Sequence, residues 1–158
     1  MVSRIQSPVP RSTYVHRDTR YVAEFVTVAF PGDPKMFNVR LGPTPLELAH
    51  QYPDIDVDRW ARVWAKTADA IVLTPSHLIV IEGELRRPVL ALGELLVYRE
   101  LVAQTESLGQ YRNMAVRTLL LTPLPDPTIR PVLDHLGIEV IEYRPLWVEG
   151  YLRQVGRI

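Results

Sequence analysis

Two continuous apolar runs mark the middle of the chain. Residues 70–73 read Ala-Ile-Val-Leu, residues 78–81 read Leu-Ile-Val-Ile, and only Thr-Pro-Ser-His lies between them. Apolar runs of this length, bounded by turn residues, are typical of strands that are buried on both faces of a sheet. The short connection predicts that the two strands are antiparallel neighbours.

The C-terminal half alternates between helical and strand patterns. A helix is predicted over residues 88–104, a strand over 115–121, a second helix over 126–137 and a final strand over 138–143. Prolines stand at both predicted helix starts, where they are favoured. Beyond them, the tail over residues 145–158 is rich in aromatic residues, and such a tail often docks on a neighbouring protein.

Residues 1–20 predict an extended arm. This stretch holds four arginines and two prolines, and its apolar residues follow neither the strand period nor the helix period. Residues 21–30 and 36–41 are rich in β-branched and aromatic residues, and the turn sequence Pro-Gly-Asp-Pro lies between them. Together they predict a β-hairpin. The arm either binds a partner subunit or packs on its own domain.

Helix signals follow the predicted hairpin. Thr44 as N-cap, Pro45 at the first helical position and Glu47 three residues after the cap predict a short helix that ends near residue 51. Trp60 and its apolar neighbours at helical spacing predict a second helix over residues 59–66. The chain is therefore expected to form one α/β domain over residues 21–158, with a central mixed β-sheet of four or five strands flanked by helices.

Composition narrows the class of protein. The 158 residues are 47% hydrophobic and include no cysteine, which excludes disulfide scaffolds, thiol nucleophiles and cysteine zinc sites. No run of 18 apolar residues occurs and the first residues lack an apolar core, so neither a membrane span nor a secretory signal peptide is expected. A cytoplasmic protein is therefore predicted.

Basic and acidic residues are equal in number, but arginine far outnumbers lysine. Eighteen basic residues face eighteen acidic ones, which argues against a protein that coats nucleic acid through bulk charge. Sixteen of the basic residues are arginines, and Lys35 and Lys66 are the two lysines. Lysine can act in catalysis through a shifted pKa, whereas arginine remains protonated and contacts phosphate or carboxylate.

Acidic residues gather at one end of the two central strands. Asp69 precedes the first strand, and Glu82 and Glu84 end the second on a common face. Clustered carboxylates repel one another unless a cation offsets their charge, and Mg²⁺ or Mn²⁺ is the hard cation that prefers such ligands. The alternative is a solvated strand end whose charges pair with Arg86 and Arg87, and spacing alone favours that alternative.

The order of these residues resembles a known family. Asp69, a gap of twelve residues, the segment Leu-Ile-Val-Ile-Glu-Gly-Glu that ends at Glu84, and a helix with Glu94 and Tyr98 are followed by strand, helix and strand. Over residues 44–143 this pattern is similar to the PD-(D/E)xK nuclease superfamily, which includes restriction endonucleases and RecB-type and Holliday-junction-resolving nucleases. The resemblance implies a restriction-endonuclease-like fold and DNA cleavage that depends on Mg²⁺ or Mn²⁺.

Carried over by position, the resemblance assigns roles. Asp69 matches the family's metal-binding aspartate, Glu82 its second acidic ligand, and Glu47 the acidic residue often found on the first helix. Glu84 occupies the position of the catalytic lysine, a replacement that also occurs in active restriction-type members. Lys66, three residues before Asp69, is the lysine nearest to the motif.

Two functional hypotheses follow. The first is a metal-dependent DNA phosphodiesterase with Asp69, Glu82, Glu84 and Glu47 as metal ligands, Lys66 in catalysis, and Arg86, Glu94 and Tyr98 as phosphate-binding or supporting residues. The second is a catalytically degenerate copy of the nuclease fold that serves as a structural or assembly protein, such as a phage virion or head-to-tail component. In that case the arm over residues 1–20 and the C-terminal tail would bind protein partners or a second copy of the chain.

Overall fold

Five strands form one mixed sheet at the centre of the molecule. The computed structural model describes residues 17–63 and 65–158, without the side chains of residues 62 and 63. Within this part of the chain the strands stand in the order β1 (Lys35–Leu41), β2 (Lys66–Leu73), β3 (His77–Gly83), β4 (Ala115–Thr122) and β5 (Ile138–Glu142). β1, β2 and β3 are antiparallel, whereas β3, β4 and β5 are parallel. The predicted mixed α/β sheet is confirmed.

Helices cover both faces of this sheet. They are α1 (Arg17–Ala29), α2 (Pro45–Gln51), α3 (Val57–Val63), α4 (Val89–Leu101), α5 (Arg130–His135) and α6 (Leu146–Gln154), and two 3₁₀ segments, Val102–Gln104 and Glu106–Tyr111, follow α4. Buried residues of α4 and α5 form one core with the sheet, and those of α1 and α6 form a second core on the opposite face. In the described part of the chain no helix is long and apolar enough to cross a membrane.

The predicted N-terminal hairpin is wrong in its first half. Residues 17–29 form helix α1, and only the second predicted strand exists, as β1. The buried residues of α1 are Tyr21, Val22, Phe25 and Val26. Their spacing places them on one face of the helix, and this face covers the sheet. Their β-branched and aromatic character favoured a strand in the sequence, but burial of that face outweighs strand propensity.

Other segments also differ from the predictions. The arm over residues 1–20 lies outside the described residues as far as residue 16, and residues 17–20 belong to α1. The helix predicted over residues 59–66 is α3, which ends at Val63, and β2 begins at Lys66. The C-terminal tail forms α6, and its Val148 and Leu152 are fully buried in the core of the same chain. The tail therefore covers its own domain.

Candidate functional site

Asp69 and Glu82 hold each other at the end of the β2–β3 pair. The backbone N–H of Asp69 donates to Glu82 Oε1 at 3.1 Å, and the backbone N–H of Gly83 donates to Asp69 Oδ2 at 2.9 Å. The antiparallel pairing of Ala70 with Ile81 brings the two residues side by side, as the sequence predicts. Each carboxyl group is thus fixed by the backbone of the neighbouring strand.

A local break in the sheet lies at Asp69. The pairing of β1 with β2 skips one step, whose two residues are Asn38 and Asp69. Asn38 has a φ of 51°, which is the left-handed conformation that side chains rarely adopt. Ala68 packs in the core on the α4 side and Ala70 in the core on the α1 side, although alternate residues of a regular strand share a face. The side-chain alternation therefore changes at Asp69, and no sequence signal had marked Asn38.

Glu82 is a buried acid with an altered pKa. Only 6% of the residue is exposed. Burial raises the pKa of Glu82 to about 9, and the negative charge of Asp69 adds to this effect more than that of Glu94. The hydrogen bond from the Asp69 N–H lowers the pKa of Glu82, but by less than burial raises it. The pair therefore retains a proton at neutral pH.

Helix α4 adds Glu94 and Tyr98, which lie one helical turn apart on one side of the helix. The Tyr98 hydroxyl donates to the Thr67 carbonyl at 3.2 Å, and burial together with the charges of Glu82, Glu94 and Asp69 raises the pKa of Tyr98. Glu94 itself is exposed on the helix, yet partial burial of its carboxyl and the charges of Asp69 and Glu84 raise its pKa. Four acidic groups therefore influence one another at this end of the sheet.

Lys66 and Glu84 lie at the border of this group. Lys66 is exposed at the start of β2, and its charge lowers the pKa of Glu94. Glu84 Oε1 accepts the backbone N–H groups of Arg86 at 2.8 Å and Arg87 at 3.0 Å. Its carboxylate closes the turn before α4, and both arginine side chains are exposed there.

Glu47 belongs to a helix cap. Its Oε2 accepts the Thr44 N–H at 2.6 Å, while the Glu47 N–H donates to Thr44 Oγ1 at 3.2 Å. This is the reciprocal capping box that the sequence predicts at the start of α2. The hydrogen bond from the Thr44 N–H lowers the pKa of Glu47. The structure thus gives the Glu47 carboxylate a capping contact, which the resemblance did not imply.

The carboxyl pair is the chemical centre of the site. Among residues 17–63 and 65–158, no three His, Asp or Glu side chains stand close enough to hold a metal ion together. Mg²⁺ keeps several waters in proteins and is held through one or two carboxylates together with substrate phosphates. Asp69 and Glu82 fit this demand as two hard oxygen donors whose mutual repulsion a cation would relieve.

Solved structures share the fold of this chain, whereas the sequence comparisons find no match. No family profile matches the chain, and comparison with curated proteins finds no match. The structure is similar to that of a repair endonuclease from Pyrococcus abyssi, with a TM-score of 0.50 and 14% identity over 92% of this chain and 50% of the endonuclease. A protein of unknown function aligns with a TM-score of 0.47 and 13% identity over 87% of this chain and 66% of its own.

This similarity establishes a nuclease-like fold. The chain spans about half the length of the endonuclease.

Proposed function

We propose that the protein is a metal-dependent phosphodiesterase that acts on DNA, with Asp69 and Glu82 as its metal ligands. The observation that carries the proposal is the carboxyl pair at the end of β2 and β3, in which Asp69 is half-buried and Glu82 is buried. Burial and the charge of Asp69 raise the pKa of Glu82 to about 9. Holding two carboxylates together, one of them buried, costs free energy unless a proton or a cation compensates their charge. The nuclease-like fold supports the same reading.

The chemistry divides between the ion and the side chains around it. When bound, Mg²⁺ supplies positive charge at the phosphoryl group and an activated water. Lys66, exposed beside Glu94, supplies a second positive charge for the DNA backbone next to the reacting phosphate. Glu94 accepts the proton of the attacking water, since its raised pKa makes it a better base than an ordinary glutamate. Tyr98 anchors α4 to β2 through Thr67 and so keeps Glu94 in place.

A second function is favoured by Glu84. In the resemblance this position carries the catalytic lysine, and here one oxygen of the Glu84 carboxylate, Oε1, accepts the backbone N–H groups of Arg86 and Arg87. A protein that binds nucleic acid or assembles with partners through the same fold, without cleavage, would need no lysine there. Metal binding and cleavage, measured on the same variants, separate the two functions.

The test uses the full chain and two matched substitutions. Mn²⁺ binding is measured by calorimetry, and cleavage is followed on supercoiled, linear and branched DNA with Mg²⁺ or Mn²⁺. Glu82→Gln keeps the size of the side chain but removes a ligand charge. We expect it to lower Mn²⁺ affinity and cleavage at least about 100-fold, because changes even one shell further out cost about 10- to 100-fold. Glu106→Gln, at an exposed position in the second 3₁₀ segment, is the control.

The outcomes are distinct. Cleavage that Glu82→Gln abolishes and Glu106→Gln preserves supports the phosphodiesterase. Mn²⁺ binding without cleavage of any of the three DNA forms favours the binding protein. If Mn²⁺ does not bind, or if Glu82→Gln cleaves as well as the unmodified chain, the proposed metal site is wrong.

A further inference from the structure

A pocket opens beside the acidic residues, between the end of β1 and helix α4. Its volume is about 320 Å³, and Leu41, Val97 and Leu101 contribute to its apolar walls. Two other lining residues differ in chemistry: Trp60 from α3 is aromatic, and Lys66 from β2 carries a positive charge. An aromatic face and a positive charge in one small apolar pocket are the combination that binds a base and its phosphate.

Lys66 connects this pocket with the carboxyl pair. It lines the pocket, and its charge also acts on Glu94 of the acidic group. Along β2 it precedes Asp69 by three residues, which correspond to about 10 Å of extended strand. Three stacked nucleotides, at about 3.4 Å each, span the same distance. A DNA strand with a phosphate at Asp69 therefore reaches the pocket within a few nucleotides.

We propose that this pocket binds one unpaired nucleobase of the DNA substrate, stacked on Trp60, while Lys66 contacts the adjoining phosphate. The inference rests on the proposed function, because it places the scissile phosphate at Asp69 and Glu82. The pocket volume lies at the lower end of the range of about 300–1,000 Å³ that is usual for small-molecule sites, which suits a single base.

The pocket selects an unpaired base without reading its identity. Stacking on an aromatic ring tolerates every base, because each has a π-face. A paired base must leave the duplex to enter such a pocket and pays the cost of unstacking, which is lowest for mismatched or already single-stranded bases. The preferred substrates are therefore duplexes with a bulge, a mismatch or a single-stranded end near the cleaved bond.

The test compares three labelled duplexes of one sequence: fully paired, with one bulged base, and with an abasic residue at the bulge. Binding to the full chain is followed by fluorescence anisotropy with Ca²⁺ in place of Mg²⁺, so that charge is neutralised without turnover. We expect the bulged duplex to bind about 5- to 150-fold more tightly than the other two, the range for one stacked base.

Substitutions locate the effect. Trp60→Leu keeps an apolar wall and should remove the preference for the bulged base, whereas Trp60→Phe should retain part of it. Lys66→Gln should weaken binding of all three duplexes. Phe37→Leu is the matched aromatic control, since Phe37 is partly exposed and pairs with Ala70, which packs in the core on the opposite face of the sheet.

Several results would overturn the inference. Equal affinity for the three duplexes, or an undiminished preference in Trp60→Leu, would refute base binding while cleavage dependent on Glu82 left the proposed function intact. Absence of any DNA binding would refute both. If Trp60→Leu changed the sedimentation of the protein and not its DNA binding, a second copy of the chain would be the occupant of the pocket.

Discussion

At the scale of single residues, Glu82 shows how the burial of an acid is compensated in this protein. A carboxylate buried without compensation costs several kcal/mol, so such a group takes up a proton or binds a cation. In the metal-free protein, the Asp69 N–H and a retained proton provide this compensation. Stability and metal affinity are therefore both linked to the ionisation of this side chain.

This linkage predicts a fall in stability with rising pH. The pKa of Glu82 is about 9 in the folded protein, against an ordinary value of 4.5. Between these values the folded state binds more protons than the unfolded state. The free energy of unfolding therefore decreases as pH increases, by at most about 1.4 kcal/mol per pH unit for one proton. Urea denaturation of the metal-free protein at about pH 5, 7 and 9 covers this window and measures the slope.

Substitution assigns the slope to one residue. Glu82→Gln cannot ionise, so its stability should vary less with pH, and the variant should exceed the unmodified protein in stability at the alkaline end. Glu106→Gln, an exposed position, should reproduce the slope of the unmodified protein. A Glu82→Gln protein whose pH dependence matches that of the unmodified chain would contradict the raised pKa.

At the scale of elements, the approach of α1 to β3 depends on a glycine. A Cβ atom built on Gly83 would lie 2.4 Å from Val22 Cγ2 and 3.3 Å from Tyr21 Cδ1. Both α1 residues are fully buried and cannot swing away. Since the N–H of Gly83 also binds Asp69, the same residue sets the helix position and fixes one carboxylate of the site.

Gly83→Ala should therefore destabilise the protein by about 1–3 kcal/mol, the usual cost of overpacking a core. Gly93→Ala is the matched control: Gly93 is exposed on α4, and apart from its chain neighbours and the backbone of its own helix no described atom lies within 4 Å of a Cβ built there. The change should stabilise the protein by about 0.5–1 kcal/mol. Thermal denaturation of both variants measures the difference. A double variant with Val22→Ala should lose less than the sum of the two single losses, and strict additivity would contradict the close contact.

The elements also show what could be predicted from the sequence. Strands β2 and β3 were predictable because their apolar runs are continuous, and their antiparallel pairing was enough to bring Asp69 beside Glu82. Helix α1 was not, because its β-branched and aromatic residues favour a strand locally and only its packing on the sheet decides otherwise. The break at Asn38 depends on backbone angles that no residue type specifies.

At the scale of the whole molecule, the positive charges are balanced by an equal number of negative charges. The chain carries no net charge, so its attraction to DNA must come from a local set of cations. Lys66, Arg86 and Arg87 are exposed beside the acidic residues. The fixed turn at Glu84 holds the two arginines next to each other through their N–H groups. This set would give the protein a small number of phosphate contacts, unlike a basic protein that coats DNA.

The salt dependence of DNA binding reports the number of those contacts. Three phosphate contacts predict that log K falls with log salt with a slope of about −3, because each contact on duplex DNA contributes about −0.9. Arg86→Ala should reduce the slope by about 1 and weaken binding to every sequence alike. Arg153→Ala, exposed on α6, which covers the face of the sheet opposite to α4, should leave the slope unchanged. Anisotropy titrations at several salt concentrations provide the measurement, and a slope that responds to Arg153 but not to Arg86 would place the DNA on the other face of the molecule.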